Sequence, residues 1–379
     1  MMKLIINTST LSGTGVTQVA VSFIYECIKY TDNQYYVILS KSVESSINKE
    51  EFPSNFKFYS IHNHPIYGYK GFKAKQQLKC IERNIKPDCV FSVFGPSCWR
   101  PKVPHLMGYA YPHYVYPESP IFKIMSFREK VIRCILRFFH KYYLLRDGKF
   151  YVCETDDVSN RLIDFLSVNS RQVFTVANTY NHYFDAWDTN DISVKRFLPI
   201  KKDEFRFLSL CSPYLHKNLQ ILNKVVPLIK NLKINVKFVV TISSDSYNKL
   251  FLDEVKPFIY NIGQIQPSQC PQIYSECDAV FSPTLLECFS ATYPEAMKMK
   301  KPIITSNLPF ARCICEDAAL YFDPLDANSI YKCICDLVNN PSKYWELVRA
   351  SSIRLRSFTT ATQRAEMYLN ICKKICKFK

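Results

Sequence analysis

Two carboxylates and one cation have side chains suited to gripping a ligand that carries both hydroxyls and phosphates. Glu287 and Glu295 frame a loop in the stretch 278–300, which reads as a buried strand, a tight turn and the opening of a helix. An ionised carboxylate only accepts hydrogen bonds, so one aimed by a rigid turn can fix a sugar or ribose ring through its hydroxyls. The helix that follows offers unpaired backbone N–H groups to an anion. Lys217 closes the loop 211–217, where a cation could neutralise a diphosphate; taken by itself it reads first as an exposed loop lysine. Glu295 also has two readings. Thr292-Tyr293-Pro294-Glu295 fits a capping box, in which Glu295 would reach back to finish the helix rather than hold a ligand.

Weaker candidates lie in the first half. Gly13-Thr14-Gly15 sits between an apparent strand and a helix, where glycine lets a phosphate or sugar approach the backbone, or serves a tight turn with no ligand. Tyr109 and His113 follow a strand at 103–110 and are expected at the rim of the crevice beyond the strand ends. A rim histidine is as readily a solvated residue as a catalytic one.

The elements that would position these groups alternate. Strands are predicted at 3–9, 35–40, 56–61, 88–94, 103–110, 149–153 and 173–177, with helices between them near 17–29, 72–84 and after Thr155. Strand and helix alternating in this way predict a parallel sheet. Residues 185–204, rich in Asp, Asn, Lys and Pro and containing Asp188 and Asn190, break the rhythm and read as a linker. The alternation restarts with strands at 205–210, 235–242, 260–265 and 278–283. The expected organisation is therefore a domain over 1–190, a second over 200–357, and a last helix at about 358–379 that crosses back to the first.

Composition agrees with two cores. The chain has 379 residues, 47% of them hydrophobic, which suits two α/β domains better than one. No window approaches the roughly 18 to 20 apolar residues of a spanning helix, and Met1–Asn7 reads as a short strand rather than a signal peptide. Sixteen cysteines without a Cys-x-x-Cys pair read as reduced thiols packed in the core; Cys313/Cys315, Cys333/Cys335 and Cys372/Cys376 have no histidines at zinc-site spacing. The net charge of +16 attracts anions, whether nucleotide phosphates, lipid headgroups or nucleic acid, and does not choose among them. No nucleic-acid-binding signature accompanies it.

Residues 122–146 interleave Phe122, Ile124, Phe127, Val131, Ile135, Phe138, Phe139 and Tyr142 with Lys123, Arg128, Lys130, Arg133, Arg137, Lys141 and Arg146. Such a basic amphipathic helix either docks on an anionic membrane or turns its apolar face to the core.

The run Ser282-Pro283-Thr284-x-x-Glu287-x-Phe289-x5-Glu295-Ala296-Met297-x-x-x-Lys301-Pro302-Ile303-Ile304 resembles the Glu-x7-Glu signature of family 4, the retaining, metal-independent group 1 glycosyltransferases. Asn307–Arg312 and Asp317–Asp326 resemble the same family's C-terminal domain, and a weaker match takes in Gly13–Gly15, Asn178, Ser212–Lys217 and Gly263. The resemblance implies the GT-B fold: two Rossmann-like domains with parallel sheets facing across a cleft. It implies no cofactor and no metal, a nucleotide-sugar donor such as a UDP- or GDP-sugar, and a glycan or lipid-linked acceptor.

Carried over by position, Glu287 matches the carboxylate facing the donor sugar, with Phe289, Ser290 and Ala291 near sugar and phosphates. Glu295 matches the ribose ligand, and Lys217, beside Ser212, the cation on the diphosphate. Gly263 and Ile265 line the base pocket, and His113, or less so Tyr109, stands near the transferred sugar. Retention follows if the acceptor hydroxyl attacks from the face the diphosphate leaves and gives its proton to a phosphate oxygen. The chain departs from the pattern where Cys211-Ser212 replaces Gly-Arg, removing one of two usual diphosphate cations, and where Cys288-Phe289-Ser290 replaces Gly-Phe-Gly. Gly13-Thr14-Gly15 is thinner than the usual Gly-Gly pair.

The expected role is bacterial surface polysaccharide synthesis, in the cytoplasm with peripheral contact at the inner face of the plasma membrane through 122–146, and without nucleic acid. The alternative is a basic protein that binds anionic membrane or nucleic acid without chemistry. An epimerase of the same fold is a nearer rival; a phosphorylase would need pyridoxal phosphate and a much longer chain.

Overall fold

The computed structural model describes residues 1–187, 196–200, 203–230 and 232–377; Asp188 and Asn190 lie outside the described residues. Strands β1 (Lys3–Asn7), β2 (Gln34–Leu39), β3 (Phe56–Ser60), β4 (Cys89–Ser92), β5 (His105–Gly108), β6 (Phe150–Cys153) and β7 (Val173–Thr175) form a parallel sheet in the order β3-β2-β1-β4-β5-β6-β7. Runs such as Leu4-Ile5-Ile6 and Val37-Ile38-Leu39 are buried on both faces, as a parallel sheet covered by helices requires. The strand order reverses between β1 and β4, so the β1 exit at Gly13 lies at a topological switch point.

A second parallel sheet is built from β8 (Glu204–Ser209), β9 (Asn235–Val240), β10 (Ile259–Asn261), β11 (Ala279–Ser282), β12 (Ile303–Ser306) and β13 (Ala319–Phe322), in the order β10-β9-β8-β11-β12-β13. Its switch point falls between β8 and β11, where Leu208 pairs with Val280.

The chain divides into two compact units. The first comprises Met1–Val115, Ser126–Asn178 and Thr359–Lys379, the second Tyr116–Met125 and Thr179–Phe358. The last helix, Ala361–Ile375, starts with a capping box between Thr360 and Gln363 and packs into the first core, with the Tyr368 ring 5.4 Å from Phe23 and 5.0 Å from Phe91. Two segments depart from the sequence expectation of a first domain over 1–190 and a second from 200: the second unit begins at Thr179, and it also takes an earlier piece of chain. Tyr116–Met125 belongs to the second unit, where Tyr116 and Ile121 are buried and the Tyr116 ring meets Phe310 edge-on at 6.4 Å. Local alternation does not reveal on which sheet such a connector docks.

The basic helix expected over 122–146 is shorter: it spans Phe127–Asp147, opened by a capping box between Ser126 and Glu129, while Phe122, Lys123 and Ile124 lie on a separate short helix, Ile121–Ile124. Only Leu144 and Asp147 along it are buried. Phe127, Ile135, Phe138, Phe139 and Tyr142 are exposed, Phe127 by 82% and Phe138 by 72%. The core-facing alternative is therefore excluded for this helix. No described helix is long and apolar enough to cross a membrane.

Candidate functional site

At the switch point of the second sheet, β8 ends at Ser209 and β11 at Ser282, and the loops that follow leave from adjacent strands. The first loop closes with a single helical turn, Leu215–Lys217, and turns at Asn218 in the left-handed conformation with φ 55°, a region asparagine tolerates. The Asn218 side chain locks that turn by donating to the Pro324 carbonyl at 2.8 Å. The loops are stitched together by the Leu285 N–H, which donates to the His216 carbonyl at 2.7 Å.

This stitching brings Lys217 and Glu287 into direct contact, the ammonium on the carboxylate. Their side chains are 18% and 8% exposed. Burial alone pushes the Lys217 pKa down, but the neighbouring Glu287 carboxylate and the Cys211 sulfur outweigh it, and the net shift is upward. The lysine is thus held charged. Around the pair lies a recess lined by Cys211, Ser282, Thr284, Ser290 and Thr292, whose polar atoms could bind an oxygen-rich ligand.

Glu295 does not cap its helix. The helix runs Thr292–Lys298 with Ala291 preceding it in helical conformation and no side-chain cap, so Thr292 already lies inside the first turn. The Glu295 carboxylate instead accepts a 2.9 Å hydrogen bond from the Tyr274 hydroxyl. Tyr274, on the helix Cys270–Glu276, is itself buried against Phe184. Burial raises the Glu295 pKa to about 7, with the Tyr274 hydrogen bond pulling the other way. Such a carboxyl can hold either protonation state near neutral pH, which a capping residue in water does not.

A sequence model of the family described as glycosyl transferases, group 1, matches residues 205–340, which include this whole loop pair. Over those residues the chain is similar to the group 1 glycosyltransferases. An O-antigen chain mannosyltransferase of Salmonella typhimurium is 25% identical over 185 residues, 44% of this chain and 48% of the relative, so the match spans about half that protein's length. Among solved structures, the Anabaena protein HepE in complex with UDP and glucose superposes with a TM-score of 0.74 at 13% identity, covering 98% of this chain and 99% of that one. WaaG, a glycosyltransferase involved in lipopolysaccharide biosynthesis, superposes with a TM-score of 0.71 at 11% identity, covering 98% and 99%. At these identities the likeness shows the fold, and that fold is GT-B.

Within the second unit the remaining candidates fall in two places. Ser290 and Ala291 complete the β11 loop, their carbonyls accepting from the N–H groups of Tyr293 and Glu295 at 3.2 and 3.0 Å. Phe289 is half-buried, its ring 6.3 Å from Phe358. Ser212 lies in the β8 loop, where its carbonyl accepts from Tyr214 at 2.9 Å. Gly263 and Ile265 follow β10 at the sheet's edge rather than at its switch point. Gly263 has φ +76°, and its N–H donates to the Asn261 side chain at 3.2 Å, with open space where a Cβ would stand.

His113, Gly13 and Gly15 belong to the first unit. His113 is half-buried in the short helix Pro112–Val115. Gly13 has φ +113°, whereas Gly15 lies within the helix Thr14–Glu26, so only Gly13 occupies a conformation that needs glycine. Tyr109 is not at a rim: it is fully buried and its hydroxyl donates to the Tyr111 carbonyl at 2.8 Å. Tyr274 belongs to none of the motifs in the sequence. Tyr274 sits 21 residues before Glu295 on another element, and no spacing rule joins them.

Proposed function

We propose that this chain transfers a sugar from a nucleoside-diphosphate sugar to a glycan or lipid-linked acceptor in bacterial surface polysaccharide synthesis, retaining the anomeric configuration and using no metal. The observation that carries this is the Lys217–Glu287 pair at the switch point of the second sheet, inside the segment that matches the group 1 family.

In this reading Lys217 exchanges its contact with Glu287 for the donor diphosphate and stabilises the negative charge that develops as the anomeric C–O bond breaks. Glu287 then accepts from sugar hydroxyls, and Glu295 from the ribose. The acceptor oxygen bonds to the anomeric carbon on the face the diphosphate leaves, and its proton passes to a phosphate oxygen. No protein general base is needed. His113 is assigned to the neighbourhood of the transferred sugar. Gly263 and Ile265 are assigned to the base, and Phe289 to Ala291 to sugar and phosphates. The names of the Salmonella mannosyltransferase and of WaaG support a surface-glycan role.

Peripheral contact with an anionic membrane belongs to the same proposal. The helix Phe127–Asp147 exposes Phe127, Ile135 and Phe138 alongside exposed Arg128, Lys130 and Arg137, the pattern that places apolar groups among lipid headgroups and cations beside their phosphates.

A thermal-shift panel of UDP-glucose, UDP-galactose and GDP-mannose tests the donor assignment. A true donor at a hundred times its dissociation constant stabilises the chain by about 2.7 kcal/mol. No shift with any nucleotide sugar or nucleoside diphosphate, together with salt-sensitive binding to any polyanion, would return the reading to a non-catalytic basic protein.

A further inference from the structure

The segment Tyr116–Met125 is separated in sequence from the rest of the second unit, yet it reaches the loop that carries Glu287. Its Ser119 hydroxyl donates a 2.7 Å hydrogen bond to the Leu285 carbonyl. Leu285 is thereby gripped on both sides of its backbone, the N–H by His216 at 2.7 Å and the C=O by Ser119. The first contact ties the Glu287 loop to the Lys217 loop, and the second ties it to the strap.

Ser119 is suited to a fixed role. It is buried, and its N–H donates to the Tyr116 carbonyl at 3.1 Å. Its hydroxyl oxygen accepts from the Ile121 N–H at 3.3 Å, and Ile121 is itself buried. The hydroxyl proton is therefore directed at Leu285, whose side chain, like that of Leu286, is buried. Glu287 is two residues further along, with only Leu286 between. A loop fixed at Leu285 leaves the Glu287 carboxylate little play relative to Lys217.

We infer that Ser119 is a positioning residue: acting through the Leu285 carbonyl, it holds the Glu287 loop in register with Lys217. It touches neither the donor nor the reacting atoms. This rests on the proposed function for its consequence in turnover, but the restraint on the loop exists with or without a donor.

Hydrogen–deuterium exchange on the full chain without ligand tests the restraint. In Ser119→Ala the peptide covering 284–290 is expected to exchange about tenfold faster than in the wild type, because the opening of that loop loses one of its two backbone anchors. Ser119→Thr, which keeps the hydroxyl, is expected to return exchange toward wild type. Lys123→Ala, on the exposed side of the same strap, is expected to change nothing.

The second readout separates positioning from general damage. With whichever sugar nucleotide the wild type turns over, Ser119→Ala is expected to lose about tenfold in kcat, while its affinity for UDP or GDP, measured by calorimetry, stays within about twofold. Unchanged exchange at 284–290 in Ser119→Ala, equal acceleration in Lys123→Ala, or no recovery in Ser119→Thr overturns the assignment. If exchange behaves as expected but the wild type turns over no nucleotide sugar, the proposed function fails and the loop restraint stands.

Discussion

The Tyr274 hydroxyl donates a 2.9 Å hydrogen bond to the Glu295 carboxylate, joining two helices 21 residues apart. The bond works against the burial that raises the Glu295 pKa to about 7. Between the unfolded value of about 4.3 and that folded value, the native state holds a proton that the unfolded chain has released. Glu295 therefore contributes stability that is complete below pH of about 4 and is lost as pH rises through 7. Relative to the wild type, Glu295→Gln should gain in melting temperature from pH 4.5 to about pH 7 and level off above it. A difference that stays flat across that range would show that the carboxyl titrates as it does in water.

The same proton has a consequence for binding. A ribose held by its hydroxyls is better served by the carboxylate than by the neutral acid. The affinity for a nucleoside diphosphate is expected to rise between pH 5.5 and 8 in the wild type by more than in Glu295→Gln. Calorimetric titrations of UDP and GDP on both proteins, at each pH, cancel the titration of the nucleotide itself.

Removing Lys217 strands its partner. In Lys217→Ala the Glu287 carboxylate remains buried with no counter-ion, at a cost of about 3 kcal/mol in unfolding free energy. Lys217→Met combined with Glu287→Leu should recover most of that loss, because the desolvation penalty disappears with the charge. Neither variant should keep donor turnover; a fall of about 100-fold or more is expected for Lys217→Ala if the lysine stabilises the leaving diphosphate. Urea denaturation and turnover, measured on the same preparations, separate the two effects.

The two glycines near the start of the first unit should respond with opposite signs. Gly13 has φ +113°, and a side chain there would meet open space but force a backbone that L-residues avoid; Gly13→Ala should cost about 1 to 3 kcal/mol. Gly15 has ordinary helical geometry and equally open space, so Gly15→Ala should stabilise by up to about 1 kcal/mol. Denaturation midpoints of the two variants settle the contrast.

Membrane contact is checked by flotation with phosphatidylglycerol vesicles. Wild type should float at low ionic strength and less so as salt shortens the screening length. Phe127→Ser with Phe138→Ser should float poorly while melting within about 0.5 kcal/mol of wild type, since both rings are already in solvent. Absence of flotation at any salt removes the membrane from the proposal.

Most strands were legible because a parallel sheet buries both faces and leaves unbroken apolar runs, as at Leu4–Ile6 and Ala279–Phe281. Glu287 was legible as a candidate because it lies in the loop that follows such a run, whereas Lys217 alone reads as an exposed loop lysine and only the family resemblance gives it a diphosphate role. What escaped was non-local. Thr292 and Glu295 have the spacing of a capping box, but the helix begins one residue too early for Thr292 to cap it, and a tyrosine on another element takes the carboxylate. Tyr109 follows a strand as a rim residue would, yet its ring is folded inward and its hydroxyl is satisfied by Tyr111. The docking of Tyr116–Met125 depends on a pocket beside Phe310, nearly two hundred positions away, and nothing in ten residues of sequence points there.

The main chain passes between the units at four places, after Val115, Met125, Asn178 and Phe358. No single truncation can therefore yield either half intact: a fragment ending at 187 would lack the helix that buries Tyr368 and Leu369, and its Tyr116 and Ile121 would lose their burial partners. A nick between 179 and 203 should likewise leave both pieces migrating together under native conditions and apart in denaturant. Swapping the rear half between relatives will succeed only if the ten-residue strap and the closing helix are exchanged or matched along with it.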